Sequence, residues 1–494
     1  FKQKTAYEIR PRDWSSDVCS SDLSACLHVV LLVSLRHEIT RRVKTALVID
    51  DDSIVLTVLA RTLEDAGWRV LTANDGDKGI EMAVAERPDV IVCDLLMPRV
   101  NGYQVCRAIR SNQTFVPQPR IVVISSSNYA ADHANSLDAG ADDFLLKPVK
   151  PVELLHLLDI EGGTTFIRKT PTVSKAPTPP DTTYFRRSIG TPPTVRFWGV
   201  RGSIATPGDS TLKYGGNTTC IEVRADGELI VLDAGTGIRN LGRKLAGEFK
   251  AQPIEVTILI SHTHWDHIQG FPFFIPAYSP HNQIRIKGYE GARVGLQSVL
   301  TSQMESPYFP VSMQQLPGYL QVEELKEMEF NIGQVKVRAA FMNHPGICVG
   351  YRLETSGGAI AFLPDNEPHS RLRMAPVTDS AQSYEVLAFA QKQDEKLIDF
   401  IRDCDVVIMD SQYDAAEYKS HIGWGHTCVD DAVALAGIAK VKKLFLFHHD
   451  PDHDDAKVDS MQEWARELAA IHGSALEVEA AREGVEVVLN RAGA

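Results

Sequence analysis

This sequence of 494 residues predicts an α/β chain in two parts, a doubly wound parallel sheet followed by a four-layer αββα sandwich. Three observations carry that expectation. Between positions 44 and 160, five short apolar runs alternate with amphipathic helical stretches, the pattern of a parallel sheet covered on both faces. A segment rich in proline and threonine follows at 161–193, with little hydrophobic periodicity, and reads as an extended, semi-rigid linker. Beyond it, residues 194–494 hold strand-like runs broken by glycines, which suit one half of a sandwich, and later strands and helices that supply the other half.

In the first part, strands are expected at 46–49, 69–72, 90–93, 121–124 and 144–146, with helices such as 54–66 and 102–110 between them. Acidic residues collect at the strand ends: Asp50, Asp51 and Asp52 after the first strand, Asp94 after the third. One such residue alone reads as a helix cap. Crowded carboxylates repel, so the group is unfavourable unless a cation binds or one member is modified.

With Lys147-Pro148 after the fifth strand, these residues resemble the response-regulator receiver domain, a flavodoxin-like fold, over nearly all of 44–160. The resemblance implies that Asp94 is the phosphoacceptor. It implies Mg²⁺ held by Asp50, Asp51 and Asp94 with the backbone carbonyl of Leu96, and Lys147 against the phosphoryl group. Ser125 takes the hydroxyl switch position, although Ser126 and Ser127 follow it, and Phe144 takes the aromatic one. A carboxylate attacks phosphorus only when the incoming charge is neutralised, which is the part of Mg²⁺ and Lys147. The implied setting is two-component phosphorelay signal transduction, the chain being a phosphoprotein whose partner is a sensor histidine kinase or phosphotransfer protein.

The second part is dominated by His262-Thr263-His264-Trp265-Asp266-His267, directly after the apolar run 254–260. A buried strand is expected there, with the run on a tight loop at its carboxyl end. Alternation points His262 and His264 the same way, while Asp266 and His267 fall where a helix can begin, so two groups of ligands face two neighbouring metal positions. A lone histidine is usually a satisfied polar residue; four ligands at this spacing favour metal. The run matches the HxHxDH signature and resembles the metallo-β-lactamase superfamily. Three further residues continue the resemblance, each at the end of an apolar run: His344 in Met-Asn-His-Pro, Asp365 in Phe-Leu-Pro-Asp and His448 in Leu-Phe-His. By resemblance, His262, His264 and His344 hold one ion, Asp266, His267 and His448 hold the second, and Asp365 bridges them. Either His448 or His449 reaches the metal, and the strand end favours His448.

The opening motifs, from Val195 to Ser203, Tyr214-Gly-Gly-Asn and Leu232-Asp-Ala-Gly-Thr-Gly, look like the phosphodiesterase branch of that superfamily, near ribonuclease Z and cyclic-phosphate phosphodiesterases. Gly425-His426-Thr427 supports that branch. His426 then stabilises phosphoryl charge or protonates the leaving oxygen, the alternative being a structural turn. The catalytic residues on this reading are His426 and Asp266, the latter also a ligand. Asp233 reads equally as a turn carboxylate or as a group orienting a metal-bound histidine. His421 and His369 read as structural or surface residues. The stretch 304–320 is an insertion that either covers the substrate pocket or packs as a loop.

Zinc suits the histidine-rich set, with manganese or iron as alternatives. The function expected is a phosphorylation-regulated, dinuclear metal-dependent hydrolase, a phosphodiesterase for a small phosphodiester. Two alternatives stand beside it: hydrolysis of a thioester or lactam, and a non-catalytic ligand-binding signalling module. Nucleic acid is disfavoured as a partner, because no long basic Gly/Pro-rich arm is present and the net charge is −13. A homodimer remains open. Hydrophobic content of 44% with 23% charged residues supports a packed core. Eight cysteines with no CxxC imply reduced thiols and a cytoplasmic setting. No membrane segment is expected, since the apolar stretch 25–35 is too short to span a bilayer. Residues 1–23 resemble a translated sequencing adapter, and 24–43 read as a leader of uncertain origin.

Overall fold

The computed structural model describes residues 43–127, 130–158, 191–250, 252–289, 295–305, 308–372 and 380–490. The adapter-like segment, the apolar stretch 25–35 and positions 161–190 of the linker lie outside these residues.

The first sheet comprises β1 (Thr45–Ile49), β2 (Arg69–Ala73), β3 (Val90–Asp94), β4 (Arg120–Ser125) and β5 (Asp143–Leu146), all parallel, in the order β2-β1-β3-β4-β5. The five expected strands are present, each extended by one or two residues. Helices α1 (Ser53–Asp65), α2 (Gly76–Glu86), α3 (Gly102–Ser111), α4 (Ala130–Ala139) and α5 (Pro151–Leu158) alternate with them. Their starts follow from local chemistry. Asp52 accepts from Ile54 N at 2.9 Å, Asp75 accepts from Lys78 N at 2.8 Å, and Asn101 with Gln104 forms a capping box. The strand order reverses between β1 and β3, and a crevice at such a switch point receives ligands in this architecture. Asp50 and Asp94 stand there.

The second part holds two seven-stranded mixed sheets. One contains β6 (Thr194–Gly199), β7 (Cys220–Ala225), β8 (Glu228–Leu232), β9 (Glu255–Ile260), β10 (Gln283–Gly288) and β11 (Tyr319–Glu324). The other contains β12 (Glu329–Ile332), β13 (Val335–Phe341), β14 (Val349–Thr355), β15 (Gly358–Leu363), β16 (Val406–Asp410), β17 (Lys443–Phe447) and β18 (Glu477–Ala480). The last strand, β19 (Glu486–Val488), returns to pair with β6 and completes the first of these sheets.

Alternation explains the layering. Phe197, Ile221 and Leu232 from one sheet share a core with Tyr351, Phe362, Phe445 and Phe447 from the other, so the two sheets pack face to face. The outer face of the first sheet is covered by α6 (Ile238–Phe249) through Leu241, Leu245 and Phe249. The outer face of the second is covered by α7 (Ser380–Ile401), α8 (Val429–Ile438) and α9 (Asp455–Ile471). The result is the four-layer αββα sandwich. Among the described residues, no helix is long and apolar enough to cross a membrane.

The described residues of 304–320 pack onto the body: Met304, Met313 and Leu316 are buried in the core that holds Ile284 and Ile286.

Tight backbone contact fixes the loop after β8 against the metal-motif loop. Ala234 N donates to His267 O at 2.7 Å, and Gly270 N returns a bond to Ala234 O at 2.9 Å. A Cβ on Gly270 would lie 2.0 Å from the Gly235 carbonyl oxygen, closer than any real contact. Gly270→Ala is therefore expected to destabilise the protein by about 1–3 kcal/mol, the range for overpacking. A urea midpoint followed by tryptophan fluorescence checks this, and an unchanged midpoint would refute the packing argument.

Candidate metal centre and phosphorylation site

The ends of four strands in the second part converge on one cluster, buried except for His264. The loop after β9 supplies His262, His264, Asp266 and His267; the loop after β13 supplies His344; β15 leads to Asp365; β17 leads to His448. Two four-residue groups result, each with its ligand atoms within 4.8 Å of one another. One is His262, His264, His344 and Asp365; the other is Asp266, His267, Asp365 and His448. Asp365 faces both. Its Oδ2 lies 3.5 Å from His262 Nε2 and 3.6 Å from His344 Nε2, while its Oδ1 lies 3.2 Å from His267 Nε2 and 3.1 Å from His448 Nε2.

The donor set fits divalent cations. His262 Nε2, His267 Nε2 and Asp365 Oδ1 are buried and make no hydrogen bond, an arrangement polar groups avoid unless something else binds them. The far ring nitrogens of three histidines are occupied, which sets the ring orientation and leaves Nε2 inward. His267 Nδ1 lies 2.7 Å from Asp233 Oδ2, His448 Nδ1 lies 3.1 Å from Gln412 Oε1, and His344 Nδ1 lies 2.9 Å from Gly425 O. Asp233 is itself held by Ser261 through N and Oγ, both at 2.7 Å, so of its two readings the structure favours the orienting one. Asp266 Oδ2 accepts from Ser203 N at 2.8 Å.

Electrostatics point the same way. Burial, then the charge of His267, pushes His262 down to about 3. Burial also drives His344 well below the usual imidazole range. His267 goes the opposite way: burial opposes its proton, but Asp266, Asp365 and Asp233 together raise it well above the ordinary value. In Asp365, burial is outweighed by His448, His267 and His262, which hold the carboxyl well below its usual range.

Of the ambiguous pair, His448 turns inward on a left-handed backbone (φ 62°), with Gly202 so close beneath it that a Cβ there would lie 2.4 Å from its ring. His449 turns away, its Nε2 2.9 Å from Ala481 O.

His426 lies beside the cluster, buried, its ring 5.3 Å from that of His344 and 5.1 Å from that of His448. Its Nδ1 lies 3.0 Å from Asp410 Oδ2. Burial disfavours its charged form, yet Asp410, by charge and hydrogen bond, raises it to about 9. Asp410 was not among the residues the sequence singled out, although it ends an apolar run as Asp365 nearly does. Gln412 and Glu367 were also missed. Glu367 is fully buried and accepts from Tyr418 OH, Gly423 N and Gly425 N, so it shapes the turn that carries His426. His421 and His369 stay outside the cluster: the first stacks on Tyr413, the second pairs with Asp394 at 3.5 Å.

In the first part, Asp50, Asp51 and Asp94 form an acidic group whose oxygen atoms lie within 4.8 Å of one another. Lys147 Nζ lies 2.7 Å from Asp50 Oδ2 and 2.8 Å from Asp94 Oδ1. Burial, then the charge of Asp94, raises Asp50 to about 7 and Asp51 to about 6. Leu96 follows in the loop after β3. Ser125 is buried and its Oγ accepts from Ser127 N at 3.1 Å; Phe144 packs edge-on against His133 at 5.4 Å.

Two classes of domain are defined by these arrangements: a parallel sheet with an acid triad and lysine at its switch point, and a two-sheet sandwich with paired ligand groups at its strand ends. The chain joins a response-regulator receiver domain to a metallo-β-lactamase-fold domain. Residues 46–159 match the family described as response regulator receiver domain, and residues 229–382 match the beta-lactamase superfamily domain. Response regulator MprA of Mycobacterium leprae is 42% identical over 109 residues, which are 22% of this chain and 46% of that protein. The chain thus spans about half the length of the curated relatives it matches. Among solved structures, the metallo-beta-lactamase fold protein YhfI from Bacillus subtilis is 15% identical with a TM-score of 0.41, covering 60% of this chain and 99% of that one. Human tRNase Z, short form, is 18% identical with a TM-score of 0.40, covering 60% of this chain and 100% of that one.

Proposed function

We propose that this protein is a phosphorylation-regulated, metal-dependent hydrolase that cleaves a small phosphodiester. On this reading residues 44–160 receive the signal, 161–193 link, and 194–494 carry the chemistry. The observation that carries it is the pair of four-ligand groups sharing Asp365, with the His426–Asp410 pair alongside. His262, His264 and His344 would hold one divalent ion, Asp266, His267 and His448 the other, and Asp365 both. The nitrogen-rich set suits zinc, with manganese or iron as alternatives. Ions bound there supply an activated water and absorb negative charge at phosphorus.

The chain's own residues do the rest. Asp233, Gln412 and the Gly425 carbonyl orient three ligand histidines, so little reorganisation accompanies reaction. Asp410 keeps His426 protonated near neutral pH, which suits a donor to the leaving oxygen. Asp94 would accept a phosphoryl group from a sensor histidine kinase or phosphotransfer protein, with Asp50, Asp51 and the Leu96 carbonyl on Mg²⁺ and Lys147 on the phosphoryl oxygens. A cytoplasmic setting accords with six free, buried cysteines among the described residues.

The test is to assay purified protein of known metal content against an aryl phosphodiester, a thioester and a β-lactam. Turnover of the phosphodiester alone is expected; preferential turnover of either other substrate refutes the assignment. Regulation gives a second expectation. Phosphorylation of Asp94 by a small phosphodonor with Mg²⁺ changes substrate affinity or rate by about 5–150-fold, the range of coupling free energies of about 1–3 kcal/mol. Asp94→Ala abolishes that response. A wild-type enzyme indifferent to confirmed phosphorylation would remove the regulatory half of the reading.

A further inference from the structure

Asp132, in the first turn of α4, touches both domains. Its Oδ1 accepts from the Gly346 backbone N at 2.8 Å, and Gly346 lies two residues beyond His344 in the loop that bears that ligand. The same carboxylate accepts from Tyr103 OH at 2.9 Å and from Ser127 Oγ, and it is buried. Buried apolar residues of the two domains form one contiguous cluster that includes Met97 and Val100 on one side and Ile347 and Val349 on the other. The charge of Lys396 in α7 also favours the charged forms of Asp51 and Asp52 in the loop after β1, and that of Lys392 the charged form of Asp52.

Both receiver switch positions lead to the turn that carries Asp132, Ser125 through Ser127 and Phe144 through His133. Ser125 Oγ accepts from Ser127 N, and Ser127 Oγ in turn bonds Asp132. Phe144 packs on His133, the residue next to Asp132. The Asp132 carboxylate therefore stands between the phosphorylation site and a ligand loop of the metal centre.

We propose that Asp132 is a positioning residue for the metal centre: it pins the His344 loop through Gly346 N, and phosphorylation of Asp94 acts on the centre by releasing that bond. This rests on the reading of His344 as a ligand and Asp94 as phosphoacceptor. When a carboxylate oxygen of Asp94 bonds to phosphorus and acetate leaves acetyl phosphate, the new phosphoryl oxygens draw the Ser125 hydroxyl toward them. Ser125 Oγ then no longer accepts from Ser127 N. Ser127 shifts, and Asp132 shifts with it. Gly346 loses its acceptor, and the loop that carries His344 is held less tightly, with the Gly425 carbonyl still meeting His344 Nδ1.

The test uses the full chain and needs no turnover. Amide hydrogen exchange at Gly346 is measured with and without acetyl phosphate and Mg²⁺, and zinc affinity is measured by competition with a chromophoric chelator. Phosphorylation is expected to speed exchange at Gly346 by about tenfold, the effect of losing one hydrogen bond. It is expected to weaken retention of one of two zinc ions by about fivefold or more. Asp132→Ala should show both changes without phosphodonor and no further change with it. Asp132→Asn, which keeps an acceptor oxygen, should restore slow exchange. Should Asp132→Ala fail to fold, since Tyr103 and Ser127 lose their acceptor, the wild-type exchange measurement decides by itself.

Unchanged Gly346 exchange in confirmed phosphorylated wild type overturns the proposal, as does a full phosphorylation response in folded Asp132→Ala. A chain that shows the exchange and zinc changes but cleaves no ester keeps this inference and loses the hydrolase reading. A chain that hydrolyses phosphodiesters with Gly346 exchange unaltered does the reverse.

Discussion

Asp365→Ala is expected to strip both metal positions and abolish hydrolysis, whereas His344→Ala weakens one position. Geometry makes the difference. The two oxygens of Asp365 lie between 3.1 and 3.6 Å from four histidine nitrogens, two in each ligand group. No other residue belongs to both of the groups to which the two ions are assigned. Its loss takes one donor from each set and leaves Asp266 as the only carboxylate among the six remaining ligands, so the negative charge that attracts two dications is halved. His344 removes one neutral donor from one set. With bound metal supplying several kcal/mol of transition-state stabilisation, turnover in Asp365→Ala should fall by about 10³-fold or more. Elemental analysis of protein prepared without chelator is the check, read beside turnover of an aryl phosphodiester. Two transition-metal ions retained in Asp365→Ala would show that the carboxylate is not shared between them. Wild-type protein with no transition metal would overturn the assignment of the whole centre.

How much of this was legible beforehand follows from where each signal lies along the chain. The receiver strands were readable because each is a short apolar run between amphipathic helical stretches, the first and third closed by acids, and the structure moved their ends by only one or two residues. The His262–His267 run was readable because its ligands are neighbours in sequence. His344, Asp365 and His448 were readable only as an ordered set, each alone being a plausible turn residue. Asp410 ends β16 as an acid closes β3, but it belongs to no motif that would set it apart from a turn carboxylate. Gln412 and Glu367 gave no signal: one holds a ring nitrogen of His448, the other two backbone amides of a turn, and neither bond leaves a periodicity. The stretch 304–320 offered two readings because three buried apolar side chains in a long loop do not say what they pack against. The Asp132–Gly346 bond joins residues 214 positions apart, one of them through its backbone, so no residue pattern encodes it. The sequence offered the candidate donors and one orienting group, Asp233; Gln412, Asp410 and Glu367 came from the fold.

His426→Ala is expected to lower turnover by about 10²–10⁴-fold, the usual contribution of a general acid, while metal content stays near that of wild type. Asp410 Oδ2 occupies Nδ1 of this ring at 3.0 Å, so the other ring nitrogen is left to do chemistry. The ring lies beside those of His344 and His448, near both ligand groups, which puts its proton close to where charge would develop on a leaving oxygen. Asp410 also makes a charged His426 tolerable in a fully buried setting. Asp410→Asn should therefore lower turnover in the same direction but by less, because an amide can still orient the ring while no longer stabilising its charge. A competing arrangement is visible in the structure: Asp410, His426 and His448 have ligand atoms within 4.8 Å of one another and could themselves hold an ion. The two possibilities separate cleanly on metal content. If His426→Ala loses metal in proportion to activity, the residue is a ligand or a support for one, and its role as proton donor is wrong. If metal is retained and activity falls, substrate choice supplies a further check: an aryl ester with a good leaving group needs little protonation, so the defect should shrink on it and grow on an alkyl ester. An equal defect on both would mean that His426 stabilises phosphoryl charge rather than protonating the departing oxygen.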